Sequence, residues 1–207
     1  MRRILVLVCL IVTVVLNNCP SIVMAAENST EEIADGVKIS YKYEELSYEQ
    51  AVIRVMEKEN LKQVDAESLL GVSYGNGPRK AQSFPTYTKT YTFPGGYEIE
   101  IGGMWEVYNS GSFRQFERLV DKWTGATGSG NYTWNQFHIS DTTSSYPTIK
   151  VSLAARGTIT IAVNTSTTAG VNLGNQLSNV GFTISTSSGT TTYYRLTKNL
   201  ALSKSLY

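Results

Sequence analysis

The chain is poor in the residues that most often carry chemistry. It holds one histidine, His138, and two cysteines, Cys9 and Cys19. Both cysteines fall in an N-terminal stretch with the form of a removable leader. The mature chain is therefore expected to have no disulfide, no thiolate nucleophile and no cysteine metal ligand. One histidine and scattered carboxylates give no metal-ligand spacing, so no metal and no cofactor are predicted. His138 has Asp141 nearby, but no nucleophile-elbow glycine pattern surrounds any serine. It is expected to be a surface or satisfied sheet histidine, and no catalytic residue is assigned. The glycine-rich stretch Gly125-Ala126-Thr127-Gly128-Ser129-Gly130 is followed by no lysine and opens no helix, so it is not a phosphate loop.

Charge is scarce as well. Charged residues make up 17% of the chain and the formal net charge is +1, which argues against the basic stripe that nucleic acid requires. The charges are unevenly placed. Residues 27–80 hold 11 acidic and 7 basic side chains, whereas residues 81–207 hold 6 acidic and 9 basic. The latter part is hydroxylic instead, with 36 serines and threonines.

The longest apolar run, Ile4 to Leu16, is thirteen residues broken only by Thr13, too short to span a bilayer as a helix. It follows the cationic Met1-Arg2-Arg3 and precedes the small residues of Val23-Met24-Ala25-Ala26. That is the layout of a signal peptide over residues 1–26, with export as the expectation. A cysteine-free exported chain fits a bacterial source.

What the sequence does have is alternation. Tyr97, Ile99, Ile101, Trp105 and Val107 share one parity and Glu98, Glu100 and Glu106 the other. Ile149, Val151 and Leu153, then Ile159, Ile161 and Val163, repeat the pattern. This is the period of half-buried strands in antiparallel sheets. Trp105 is expected in the core. Val37, Ile39, Tyr41 and Tyr43 predict an earlier strand, after an acidic start over Glu27–Gly36 predicted to be disordered. Ser47-Tyr48-Glu49-Gln50 has the form of a capping box and opens a helix with Ala51, Val52, Val55 and Met56 as its apolar stripe. A second helical turn is expected from Asp65 to Gly71, then a linker over Gly71–Ser83.

Pro94-Gly95 suits a type II turn. Ala155-Arg156-Gly157 is expected to make a three-residue hairpin loop with Gly157 left-handed, unless one strand runs straight through. Phe113 to Trp123 supports two readings. The spacing of Phe113, Phe116, Leu119, Val120 and Trp123 is helical, whereas Asn109-Ser110-Gly111-Ser112 suits a hairpin turn into a strand. Tyr132 to Ile139 is expected to be a strand and Asn164 to Gly170 a polar tract. Leu173, Leu177 and Val180 predict a short helix, and Ser187-Ser188-Gly189 a final hairpin turn.

The sequence thus predicts a mainly β chain: an antiparallel, sandwich-like β domain over residues 81–207, with residues 27–80 supplying a strand, a linker and an N-terminal helix packed on it. The function expected is that of a secreted, non-catalytic binding or surface-associated module, with glycan or cell-wall material as the partner. Tyr132 and Trp134, two apart on a strand beside Asn131, are the candidate ligand-binding residues. Two rivals stand. The uncharged stretch Thr158–Thr192 would suit a membrane-inserting hairpin of a pore-forming toxin, so membrane contact stays open, as does the oligomeric state. A hydrolase would use Glu98, Glu100 or His138, provided that they line a shared pocket.

Overall fold

The computed structural model describes residues 31–34, 36–71 and 82–207. The predicted signal peptide, both cysteines, Glu27–Thr30 and residues 72–81 of the predicted linker lie outside the described residues.

The described chain is mainly β, with two antiparallel sheets and three helices. The first sheet runs in chain order: β1 (Glu31–Ala34), β2 (Val37–Leu46), β3 (Gln82–Phe93), β4 (Tyr97–Ser110) and β5 (Phe113–Ala126). Helices α1 (Tyr48–Glu59) and α2 (Gln63–Leu69) form an excursion between β2 and β3, which still pair as neighbours. The second sheet has the order β6-β7-β9-β8, from β6 (Tyr132–Asp141), β7 (Lys150–Asn164), β8 (Thr183–Ser188) and β9 (Thr191–Ser205). Helix α3 (Thr168–Asn179) joins β7 to β8.

Local chemistry accounts for most of these boundaries. The Gly96 N–H donates to the Phe93 carbonyl at 3.1 Å, and Gly95 has φ of +87°, as the turn from β3 to β4 requires. At α1 the Ser47 hydroxyl accepts from the Gln50 N–H at 3.3 Å, and the Gln50 side chain accepts from the Ser47 N–H at 2.8 Å. This is the reciprocal cap expected from the sequence. Asn60, left-handed at φ +51°, ends that helix.

Several expectations are corrected. Glu31–Ala34 is not a disordered start but strand β1, paired with Val37–Ser40. Short acidic segments carry little strand propensity, and here the partner edge of β2 imposes the conformation. Helix α2 begins at Gln63 instead of Asp65. Gln82 and Ser83 belong to β3, not to a linker. Thr167 ends the predicted polar tract as a helix cap, its hydroxyl accepting from the Gly170 N–H at 3.1 Å. There is no hairpin at Arg156-Gly157, because β7 runs unbroken from Lys150 to Asn164. Gly157 serves close approach instead of a turn: a Cβ there would stand 2.5 Å from the Trp134 ring. The apolar parity of Leu153 and Ile159 is kept because no residue leaves the strand.

Phe113 to Trp123 is strand, and its helix-like spacing has a cause. Val107 faces Phe116 and Glu106 faces Arg118, while Trp105 faces Leu119 and Met104 faces Asp121. Glu117 and Val120 are therefore bulged out of the register. Each bulge adds one residue to the period of two and turns it locally into three.

One large cluster of buried side chains joins both sheets. It includes Tyr87, Ile99, Ile101, Trp105 and Phe116 from the first sheet, and Leu153, Ile159, Ile161, Leu200 and Leu202 from the second. Trp105 is fully buried, as expected, and its indole N–H donates to the Tyr146 hydroxyl at 3.0 Å. A second, smaller cluster gathers Val52, Val55, Ala66 and Leu70 from the helical excursion with Leu46, Phe84 and Met104 from the sheet.

Candidate functional site

Alternation along β3 places Tyr87 and Tyr91 in the large cluster and turns Thr86, Thr88 and Thr90 to the other face of the sheet. On that face the register brings Lys42 beside Thr88, Glu44 beside Thr86 and Glu100 beside Thr90. Gly102, opposite Thr88, carries no side chain, and the Trp123 indole lies in the space so left. A Cβ on Gly102 would stand 2.3 Å from that ring. With Arg54 of α1, these side chains line a groove of about 170 Å³.

The groove is polar and mostly self-ordered. Arg54 pairs with Glu44 at 3.1 Å. The Trp123 indole N–H donates to Glu100 Oε1 at 2.9 Å. The Arg54 guanidinium stands 5.3 Å and the Lys58 ammonium 4.9 Å from the centre of the Trp123 ring, within cation–π range. Lys58 also pairs with Asp121. One polar group is left over. Thr86 is 3% exposed, and its hydroxyl has no hydrogen-bond partner among the described residues.

The residues singled out from the sequence lie elsewhere. Tyr132 and Trp134 do share a face of β6, half-buried and turned towards the large cluster. The Tyr132 hydroxyl donates to the Glu98 carbonyl at 2.8 Å, and its ring meets Tyr97 edge-on at 5.2 Å. The Trp134 indole N–H donates to Thr124 Oγ1 at 2.9 Å while its ring lies over Gly157. Both aromatic side chains thus tie β6 to the first sheet. Asn131 is exposed in the preceding loop, and its carbonyl accepts from the Ala162 N–H at 3.0 Å. None of the three lines the groove.

Of the acid–base candidates, only Glu100 lines the groove. Glu98 sits nearer the turn and accepts from the Thr92 hydroxyl at 3.3 Å. His138 is exposed on β6 of the other sheet. Glu106, expected on the wet face, is buried at 7% exposure, with Arg118 Nε donating to it at 2.7 Å and Gln82 bonded to its other oxygen. Among the described residues no group of three or more histidine, cysteine, aspartate or glutamate side chains could hold a metal ion. No helix among them is long and apolar enough to cross a membrane.

Sequence reasoning missed Thr86, Trp123 and Arg54. The available signal was the run Thr86-Tyr87-Thr88-Lys89-Thr90, which sets three hydroxyls on one strand face. Comparison of the chain with protein-family models, with curated proteins and with solved structures gave no match.

Proposed function

We propose that the protein is a secreted, non-catalytic binding module that takes a polar, polyhydroxylated ligand, of the glycan class, into the groove beside Thr86. In this reading the two sheets form a sandwich. Helix α1 is packed on the outer face of the first sheet and supplies one wall of the site.

The Thr86 hydroxyl carries the proposal. A buried hydroxyl without a partner costs about 1–3 kcal/mol, and native structures leave few such groups unexplained. Thr86 lies in the wall of a groove furnished with carboxylates, a guanidinium, an ammonium and two more hydroxyls, which places its buried oxygen just beneath that surface. These supply both acceptors and donors for ligand hydroxyl groups.

The same geometry favours binding over hydrolysis. Each carboxylate that lines the groove is already held, Glu44 by Arg54 and Glu100 by Trp123. The pore-forming alternative would require refolding, because Thr158–Thr192 is divided among the end of β7, α3 and β8.

The test is a glycan-array screen of the mature chain followed by calorimetry with the best hit. Thr86→Val should weaken binding about tenfold, the worth of one buried hydrogen bond. Equal binding by Thr86→Val, or a hit lost only on Trp134→Ala with the fold intact, would move the site to β6.

A further inference from the structure

The opposite face of β3 breaks the pattern of its neighbours. Tyr87, Lys89 and Tyr91 share the parity that points between the sheets, and Tyr87 and Tyr91 are buried there. Lys89 occupies a core position between them. On the facing sheet, Lys204 holds the same parity as the buried Leu202. Lysines at two core-parity positions on facing strands contradict the binary pattern that otherwise rules both sheets. Such local contradictions in a well-formed fold concentrate at functional sites.

The two side chains converge. Tyr41 lies opposite Lys89 across the β2–β3 ladder. The Lys89 ammonium is 5.3 Å from the centre of the Tyr41 ring and 5.0 Å from that of Tyr91. The Lys204 ammonium is 5.4 Å from the same Tyr41 ring and 5.7 Å from that of Tyr87. Sharing one ring, the ammoniums stand no more than about 11 Å apart.

No carboxylate pairs with either lysine among the described residues. The nearby acid, Glu45, is already engaged by the Tyr43 hydroxyl at 2.8 Å and by Arg114 at 3.5 Å. Burial works against the Lys89 charge, yet hydrogen bonding to the Tyr91 and Tyr41 phenols outweighs it and raises its pKa. The lysine therefore stays charged. Both lysines and Tyr41 are half-buried, open to solvent at the rim between the sheets.

We propose that Lys89 and Lys204, reaching from facing sheets to one Tyr41 ring, bind a doubly charged tetrahedral oxyanion of the phosphate-monoester class. Two uncompensated ammoniums match a dianion better than a single carboxylate, and together they supply six N–H donors. The Tyr91 and Tyr41 phenols take up part of the Lys89 donor capacity, and among the described residues no carboxylate competes for the rest. The site is independent of the groove, which lies on the other face of the sheet.

The experiment is calorimetric titration of the mature protein with inorganic phosphate, sulfate and acetate at fixed low ionic strength, alongside thermal melts. Phosphate or sulfate should bind saturably and at least about tenfold more tightly than acetate, and should raise the melting temperature by linkage. Lys89→Gln and Lys204→Gln should each weaken that binding about tenfold, the worth of one charge-assisted hydrogen bond. Lys150→Gln, an exposed lysine at the start of β7, should leave it unchanged. Absence of saturation, equal affinity for acetate, or the same loss in Lys150→Gln would each overturn the site. So would unchanged binding in either Lys89→Gln or Lys204→Gln, whichever melts like the native protein without anion.

Discussion

The two apolar clusters of this protein are built to different standards. The large one, between the sheets, buries aromatic and branched side chains and satisfies their polar ends, as in the Trp105–Tyr146 hydrogen bond. The small one, which α1 and α2 share with the first sheet, is bordered by side chains with buried polar atoms that have no partner among the described residues: the Tyr48 hydroxyl, Thr86 Oγ1 and one Arg118 nitrogen. A region where polar atoms are buried without partners forgoes stability that the rest of the fold has taken. The difference separates the part of the molecule that maintains the fold from the part proposed to meet a ligand.

That contrast can be broken by substitution. The largest effect is expected from Trp105→Ala, which deletes a fully buried side chain at the junction of Tyr87 and Phe116. It should lower unfolding free energy by about 3–5 kcal/mol, measured by denaturant titration; a loss below about 1 kcal/mol would mean that the main cluster is not the structural core.

Alkaline pH should come next. Tyr87 and Tyr97 of the large cluster, and Tyr48 of the small one, have pKa values raised from 10.0, in each case chiefly by burial. A phenol whose folded pKa exceeds its unfolded value contributes stability that is complete below the unfolded pKa. It is lost as pH rises through that value towards the folded one. The denaturation midpoint should therefore be flat in this respect up to about pH 10 and fall above it. Phenolate absorbance should rise in two stages, the later one together with unfolding; full phenolate absorbance in the native state would contradict the burial of Tyr87 and Tyr97.

Smaller effects test the outer cluster. Val55→Ala should cost about 1–2 kcal/mol, from two methyl groups at ~0.8 kcal/mol each. It should alter the emission of Trp123 while leaving sheet circular dichroism in place. Thr86→Val should be neutral or stabilise by up to about 1 kcal/mol, since it removes an unpartnered hydroxyl without changing shape. A clear loss of stability would mean that the hydroxyl is already satisfied in solution. Least of all, Glu44→Gln at the half-buried pair with Arg54 should shift stability by no more than about 0.5 kcal/mol.

Much of the scaffold was legible before the structure. The alternation in Tyr97–Val107 marked β4 and its buried face, and the Ser47–Gln50 box marked the start of α1. The final turn at Gly189 and the helix around Leu177 were equally plain. The readings that stayed open or needed correction cluster where one signal has two sources. Phe113–Trp123 imitates a helix because two bulges convert a period of two into three. Gly157 imitates a turn because glycine marks close approach as well as left-handed backbone. The site was the least legible part. Tyr132 and Trp134 have the composition of a binding surface, but their polar ends are committed to Glu98 and Thr124.

The sequence by itself determined which residues alternate, where the chain turns and which helix is capped, because these follow from neighbours within a few positions. Only the tertiary structure decided what the alternating faces meet. Thr86 becomes a buried, unpartnered hydroxyl through β2, β4 and the Arg54 wall. Lys89 comes under the same ring as Lys204 through a strand more than a hundred positions later. A side chain's burial, and so the strength of its charge or the cost of its unpaired hydroxyl, depends on atoms supplied from the far end of the chain. No local pattern encodes those atoms.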